Sequence, residues 1–409
     1  MALTTVPVEL ANLDGAVTVN ESSADADFRI ESNGDTHRLF IDGGNDRLLI
    51  GTTASVAMSG VTPSTFLEGT AYASSTLGMA INSNAANDSP LLMIGKSRGT
   101  SLGSNTIVQN GDRLFSLRVH GSDGTNQEQA ALIEAHVDAA PANNSVPGRL
   151  SFWTTNDGSQ YATEKMRIDN AGKVGIGVTP SASWDANIDC LQVGEQSSIW
   201  AGDTDYTDAT WIGTNVYQTG GTTKYLTTGV ASVYGQQGGN HYWYGYSSGS
   251  ADATVSGNEV MKIDTAGHVT KPLQPAFCVL PSSNQDNIAV TSAVTVVFGT
   301  ERFDLGSNFA SNTFTAPVTG KYQFNAVIRF DNADSAALFY QLGIVTSNEN
   351  YTSYIDPDFG QDAAYWTLNV SVLADMDASD TAYVSLFQHS GTQQTDVSVD
   401  SWFSGYLVA

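Results

Sequence analysis

One short pattern occurs three times in this chain and limits what it can fold into. Leu39-Phe40-Ile41-Asp42 leads through a Gly-rich turn to Leu49-Ile50-Gly51. Lys165-Met166-Arg167-Ile168-Asp169 leads through Asn170-Ala171-Gly172 to Val174-Gly175-Ile176-Gly177, and Val260-Met261-Lys262-Ile263-Asp264 leads through Thr265-Ala266-Gly267 to Val269. Each copy reads as two short strands around a tight turn, with Asp placed for a side-chain-to-backbone bond and Gly for a positive φ. The first copy carries one extra turn residue. A lone hairpin of about a dozen residues is at best marginally stable in water. It needs a partner, and the simplest is the same hairpin from a neighbouring chain. Threefold association would close Met166, Ile168, Val174 and Ile176, and likewise Ile263, into small cores with no free strand edge.

The repeats divide the chain. After an acidic segment, 1–27, they occupy 28–55, 166–183 and 259–271, and the stretches between them, 56–165 and 184–258, read as two β-rich body modules. Leu114 to His120 has period two, with Phe115, Leu117 and Val119 on one face and Ser116, Arg118 and His120 on the other. Gln127 to Ala140 alternates Ile133, Ala135 and Val137 against Glu134 and His136, which reads as strand rather than helix. Turn signals are dense: Asp123-Gly124, Asn156-Asp157-Gly158, Gly220-Gly221 and Gly238-Gly239-Asn240. From Pro272 the aromatic content rises and a new domain, 272–409, begins. There Tyr322, Phe324, Ala326, Ile328 and Phe330 alternate with polar residues, as do Trp366, Leu368, Val370 and Val372, the pattern of a β-sandwich with one face of each sheet buried. The expected fold class is all-β with very little helix.

Composition excludes several functions. The chain carries 17 basic against 42 acidic residues, a formal charge of −25, with the cations scattered. A groove for phosphate backbones needs clustered Lys and Arg, so nucleic-acid binding is not expected. Polybasic membrane docking fails for the same reason, and no window reaches the length of an apolar span. The first residues have no basic run and no continuous apolar stretch, so no secretory signal is read there. Charged residues are 14% of the chain, below the roughly 25% of ordinary domains, so Ser, Thr, Asn, Gln and Gly must build much of the surface.

Reactive groups are sparse. Cys190 and Cys278 lack the spacing of a zinc site or a disulfide framework and read as two reduced, apolar residues. The six histidines show no paired metal spacing. Gly245-Tyr246-Ser247-Ser248-Gly249 fits a nucleophile elbow, but the motif needs a strand, a strained turn and a helix with a base in reach. Here an aromatic strand runs into Ser250-Ala251-Asp252-Ala253, which reads as a loop. No cofactor is expected. Calcium is the one metal with candidate ligands, Asp375, Asp377 and Asp380, with the pairs Asp331 and Asp334 or Asp356 and Asp358 as lesser clusters; each reads first as solvated turn aspartates. Tyr242, Tyr244 and Tyr246 share one strand face and read as packing. The segment Tyr351 to Gly360 is the binding candidate, because its Pro and Gly break any strand and Tyr351, Tyr354, Asp356 and Asp358 combine rings with carboxylates.

The C-terminal stretch resembles the jelly-roll family of the complement first-component globular head and tumour necrosis factor. The matching residues are Pro275-Ala276-Phe277, Val297-Phe298, Phe314-Thr315-Ala316-Pro317-Val318-Thr319-Gly320-Lys321-Tyr322-Gln323-Phe324 and Trp402-Phe403-Ser404-Gly405-Tyr406-Leu407. The resemblance implies a ten-stranded sandwich that forms tight trimers. It places Phe277, Phe314, Tyr322, Phe324, Phe403, Gly405, Tyr406 and Leu407 in core or trimer packing, with both faces of the last strand covered. Where that family usually turns on Gly-Asp, this chain has Asp375-Met376-Asp377-Ala378-Ser379-Asp380.

The repeated Met-x-Ile-Asp-x-x-Gly-x-Val-Gly-Ile-Gly is similar to a module of bacteriophage tail-fibre and virion-fibre proteins, as is Pro147-Gly148-Arg149-Leu150-Ser151-Phe152-Trp153-Thr154-Thr155. The two resemblances together imply a homotrimeric virion fibre: an N-terminal segment held by other virion proteins, a body of interleaved hairpins, and a jelly-roll head that binds a host glycan or protein. Such a fibre is made in the host cytoplasm, displayed on the particle, and is no enzyme. One alternative is a capsid decoration with no receptor. Another is a tailspike that cleaves glycans, although such enzymes usually build long β-helices and this chain shows short hairpins.

Overall fold

The computed structural model describes residues 27–202 and 208–409, so all but the last residue of the expected anchoring segment lies outside them. The chain divides into two compact units, one running to Ala231 and including Ser248–Val255, the other made of Ser232–Ser247 and Ser256–Ala409. Among the described residues the regular secondary structure is strand, apart from a 3-10 turn at Tyr72–Ser74.

All three repeats are hairpins. Asp35–Asp42 pairs with Arg47–Ile50, Ala162–Ile168 with Val174–Ile176, and Gly257–Ile263 with Val269–Thr270, each antiparallel. The second and third turns are built alike. Asp169 Oδ1 accepts the amides of Ala171 and Lys173 at 2.9 Å each, and Asp264 Oδ1 accepts those of Ala266 and His268 at 2.9 Å each. Gly172 and Gly267 take φ of +81° and +85°, which is why glycine recurs there. In the longer first turn Asp46 takes the left-handed conformation, at φ +53°.

In the first unit, eight strands lie side by side: Arg113–Ser122, Gln127–Val137, Gly148–Thr155, Ala162–Ile168, Val174–Ile176, Ile188–Val193, Ser197–Gly202 and Ala209–Thr214. Neighbours are antiparallel except Val174–Ile176 with Ile188–Val193, which run parallel. The strand-rich reading of 56–165 needs correction in its first half, since residues 68–112 contain no strand. Their apolar residues come as runs such as Leu91-Leu92-Met93-Ile94, which have no period two and no neighbouring strand to pair with; these four are 53–86% exposed.

In the second unit the head is a sandwich of two six-stranded sheets. One is ordered Thr300–Leu305, Ala276–Leu280, Trp402–Leu407, Gly320–Ala333, Ala363–Met376, with Asp396–Val397 also on Gly320–Ala333. The other is ordered Phe309–Ala310, Thr313–Thr315, Thr381–His389, Phe339–Thr346, Asn350–Ile355, with Ala293–Thr295 also on Thr381–His389. The count exceeds the implied ten because two-residue pairings at Phe309–Ala310 and Asp396–Val397 extend the ladders. Tyr322, Phe324, Ala326, Ile328 and Phe330 are all completely buried, as alternation predicts, and they share one core with Phe277, Phe314, Leu342, Val384 and Phe403.

Gly405 stands opposite Phe277 on one neighbouring strand and Phe324 on the other. A Cβ there would lie 2.5 Å from Phe324 Cδ1 and 2.8 Å from Phe277 Cε1, so the two rings occupy the space a side chain would need. Of the core or trimer packing expected of Tyr406, the core half does not hold. The residue points to the face of the strand opposite Phe403 and Gly405 and is 49% exposed in the single chain, which takes it out of the core and leaves a place in a trimer contact open. Leu407 is partly buried against the core.

Candidate interaction surfaces

Strand register in the first unit assembles one apolar face. Leu117, Ile133, Phe152, Met166, Ile176 and Val193 follow one another across six strands. Beside them run Phe115, Ala135, Leu150, Ile168, Val174 and Leu191, continued by Ile199 and Ile212. The repeat residues Met166, Ile168, Val174 and Ile176 thus sit in the middle of a much wider band. That band is open: Leu117 is 52% exposed, Leu150 38%, Ile176 41%, Val193 43%, Ile199 42% and Ile212 49%. Met166, Ile168 and Val174 are half-buried, as is Ile263 in the third hairpin.

The opposite face is polar, and it is the covered one. Ser116, Glu134, Ser151, Arg167, Gly175, Gln192 and Ser198 alternate with the apolar rows, and Glu134, Ser151, Gln192 and Ser198 are buried. A cluster of Trp184, Trp200, Trp211 and Tyr217 packs on this side, with ring centroids 5.6–6.4 Å apart.

Burying polar groups requires partners, and Glu134 has three. Its carboxylate accepts Ser116 Oγ at 2.8 Å and Arg113 Nη1 at 3.1 Å, and meets His136 Nε2 at 2.9 Å. Burial alone would raise its pKa, but the hydrogen bonds from His136 and Ser116 and the charge of Arg113 outweigh it and hold the group below the usual glutamate range. Sequence alternation set Glu134 on the face opposite Ile133 and Ala135 but missed this network, since period two does not say which face is covered. The geometry gives Ser116 a carboxylate and not an imidazole, so the trio is an ionised structural cluster, not an activated nucleophile. Gly245 to Gly249, read as a loop, continues the strand Asn240–Gly249.

The binding candidate of the head is only partly assembled. Tyr351 and Tyr354 lie on an edge strand, Asn350–Ile355, and not on the expected loop. Three residues apart, they point to opposite faces. Tyr351 turns inward onto the core, which corrects its place among the contact residues. Tyr354 is 58% exposed and meets Phe339 edge-on at 5.7 Å. Asp356 and Asp358 are exposed just beyond, with the Asp358 amide donating to Asp356 Oδ1 at 3.2 Å.

A family model for the C1q domain matches residues 276–408, the span of the two-sheet sandwich. The head matches the C1q domain over its full span. Among solved structures, this chain is similar to the globular domain of zebrafish complement 1qA protein, with 17% identity, 33% of this chain and 98% of that one covered, and a TM-score of 0.27. It is also similar to murine APRIL in crystals at pH 8.0 and pH 8.5, with 9% and 8% identity, 33% of this chain and 99% of each of those covered, and TM-scores of 0.26 and 0.25. No curated protein matches.

Within the C1q domain the unusual turn at Asp375–Asp380 closes without glycine. Ser379 takes φ +79°, Asp380 Oδ2 accepts the Asp377 amide at 2.8 Å and Asn348 Nδ2 at 2.6 Å, and Asp375 pairs with Lys321 at 2.5 Å. The Asp375 and Asp380 carboxylates thus take different partners, and Asp377 Oδ1 is met by Thr319 Oγ1 at 3.5 Å, so the three are not gathered on one point as a calcium site would require. Among the described residues no group of three or more His, Cys, Asp or Glu is placed to hold a metal. Of the lesser pairs, Asp331 binds Arg329 Nε at 3.0 Å, and Asp334 is fully buried. Burial pushes Asp334 upward, but the amides of Gln393, Ala336 and Thr392 prevail and hold it below the ordinary carboxylate range.

Proposed function

We propose that this chain is the subunit of a homotrimeric virion fibre that attaches a phage particle to its host through the C1q domain and catalyses no reaction. The observation that carries the proposal is the open apolar face of the first unit. Seven large side chains on it, Val119 among them, are each about half exposed. They amount to on the order of 500 Å² of apolar surface, toward the upper end of what monomers leave uncovered. Burying that much is worth on the order of 10 kcal/mol per chain before the costs of association. The face carries the repeated hairpin, so the same residues are offered by every copy, and closed threefold pairing covers them without leaving an edge. C1q and tumour necrosis factor-like domains commonly form trimers, which favours the same symmetry at the head.

The virion assignment rests on the likeness of the repeats and of Pro147–Thr155 to fibre modules. In this reading the N-terminus docks to other virion proteins, and Tyr354, Asp356 and Asp358 contact a surface glycan or protein. Light scattering of the purified chain should give three times the 43.2 kDa of one copy; a monomer at micromolar concentration would overturn the trimer. Gold-labelled antibody against the chain should decorate intact particles, and the chain should compete with them for adsorption. Decoration without competition would leave a structural protein and remove the receptor role.

A further inference from the structure

We infer that the body carries a binding site of its own, for a neutral sugar, at the end of the first unit's sheet where three loops meet; it does not depend on the function proposed for the head. The loops are the turn between strands Arg113–Ser122 and Gln127–Val137, the connection between Gly148–Thr155 and Ala162–Ile168, and the segment around Ser59. Ser59 is tied to the first of these by its amide, which donates to the Gln127 carbonyl at 3.0 Å. Together they enclose a cavity of about 400 Å³ lined by Ser59, Asn126, Gln127, Glu128, Gln160 and Tyr161.

The lining has three properties that select a ligand. First, its polar groups are largely unused. The side-chain amides of Asn126 and Gln127 and the Tyr161 hydroxyl have no hydrogen bond in the chain among the described residues, and Glu128 has only a 3.5 Å contact with Gln160 Nε2. Ser59 Oγ is shielded from solvent and lacks a partner, a state that costs free energy unless something else supplies one. Second, the set is mixed: amides and hydroxyls both donate and accept, the carboxylate only accepts, and this matches adjacent hydroxyls that do both. Tyr161 adds a ring, 63% exposed, able to cover the C–H face of a pyranose. Third, the lining holds one carboxylate and no cation, which disfavours phosphates and acidic sugars.

The site is also held in shape before anything binds. Asp123 Oδ1 accepts the amides of Thr125 at 2.7 Å and Asn126 at 2.6 Å, and these bonds keep its carboxyl below the usual range. Gly124 at φ +95° completes that turn, and Ser159 Oγ donates to the Tyr161 carbonyl at 3.0 Å to fix the second loop. Preorganised loops on a sheet lower the ordering cost of binding.

The test uses the full chain and a panel of methyl glycosides of glucose, galactose, mannose and N-acetylglucosamine, with sialyllactose and inorganic phosphate as acidic probes, read by saturation-transfer NMR and titration. At least one neutral glycoside should bind with a dissociation constant of about 1 mM or better, and neither acidic probe should compete with it. Tyr161→Ala and Asn126→Ala, both at exposed positions, should each weaken binding by about tenfold with unchanged thermal melting. Tyr354→Ala in the head should leave it intact. Absence of binding by every neutral glycoside, or binding that survives the Tyr161→Ala, Asn126→Ala double variant, would overturn the site, as would loss of binding only with Tyr354→Ala.

Discussion

The head and the body sheet are built from strands of the same period, yet they solve the burial problem in opposite ways. In the C1q domain two sheets cover each other, and every second residue of Gly320–Ala333, from Tyr322 to Phe330, is lost to solvent completely. In the first unit the sheet is covered on one face only, and that face is the polar one. Glu134, Ser151, Gln192 and Ser198 are buried there with partners: Gln192 Oε1 accepts the Ser181 amide at 3.0 Å, and Ser198 Oγ donates to the Val216 carbonyl at 3.0 Å. The apolar face, from Leu117 to Ile212, stays half open. The head therefore has its driving force inside one chain, whereas the body leaves much of its apolar surface open, as the proposed trimer requires.

If this contrast is right, charge on the two faces has unequal consequences. Ile199→Asp with Ile212→Asp should convert the assembly to single chains while circular dichroism still reports strand; a trimer that persists by light scattering would show that the open face is not the contact. In the head, Phe324→Ala should destabilise the fold by about 3–5 kcal/mol, since it removes a fully buried ring. Gly405→Val should cost about 1–3 kcal/mol by forcing Phe277 and Phe324 apart. Denaturant titration of the monomeric double variant background separates both from losses of assembly.

Acid sharpens the comparison further. Asp334 titrates below the ordinary range in the folded head, so its contribution to stability is fully present above the unfolded value, near pH 4. It is lost as the pH falls through the lower, folded value, because the protonated form surrenders its bonds to the amides of Ala336, Thr392 and Gln393. Unfolding at pH 5 and pH 2.5 should show this loss in the wild type and a flatter profile in Asp334→Asn. The smallest effect is expected where the two regions are alike. Asp169→Ala removes two turn bonds and should lower the melting midpoint by about 2 °C, and Asp264→Ala, which also removes the contact with His268 Nδ1 at 2.9 Å, by slightly more.

Much of this architecture was legible locally. The Asp-x-x-Gly repeats appear as hairpins because a carboxylate and a glycine suffice to close such a turn whatever surrounds it. Alternation from Lys321 to Phe330 found a strand and its inward residues, while the place of Gly405 in the packing came from the family resemblance. Tyr351 was misplaced because Pro357 and Gly360 were read as breaking a strand that ends at Ile355, just before them. Residues 68–112 were misjudged because polar, Gly-rich chain resembles strand-and-turn text even when no neighbour is there to pair with it.

Period two is a property of the backbone, so residues a few positions apart suffice to say that Phe115, Leu117 and Val119 share a side of the chain. Which side is covered is set by elements distant in sequence. Trp184 packs against Trp200 and Gln192 on the side of the sheet where Glu134 is also buried, Leu117 on the other side is left open, and the Ser59, Gln127 and Tyr161 segments, far apart in sequence, line one cavity. The pattern along the chain defined the strands and their two faces; only non-local packing chose the face that water reaches.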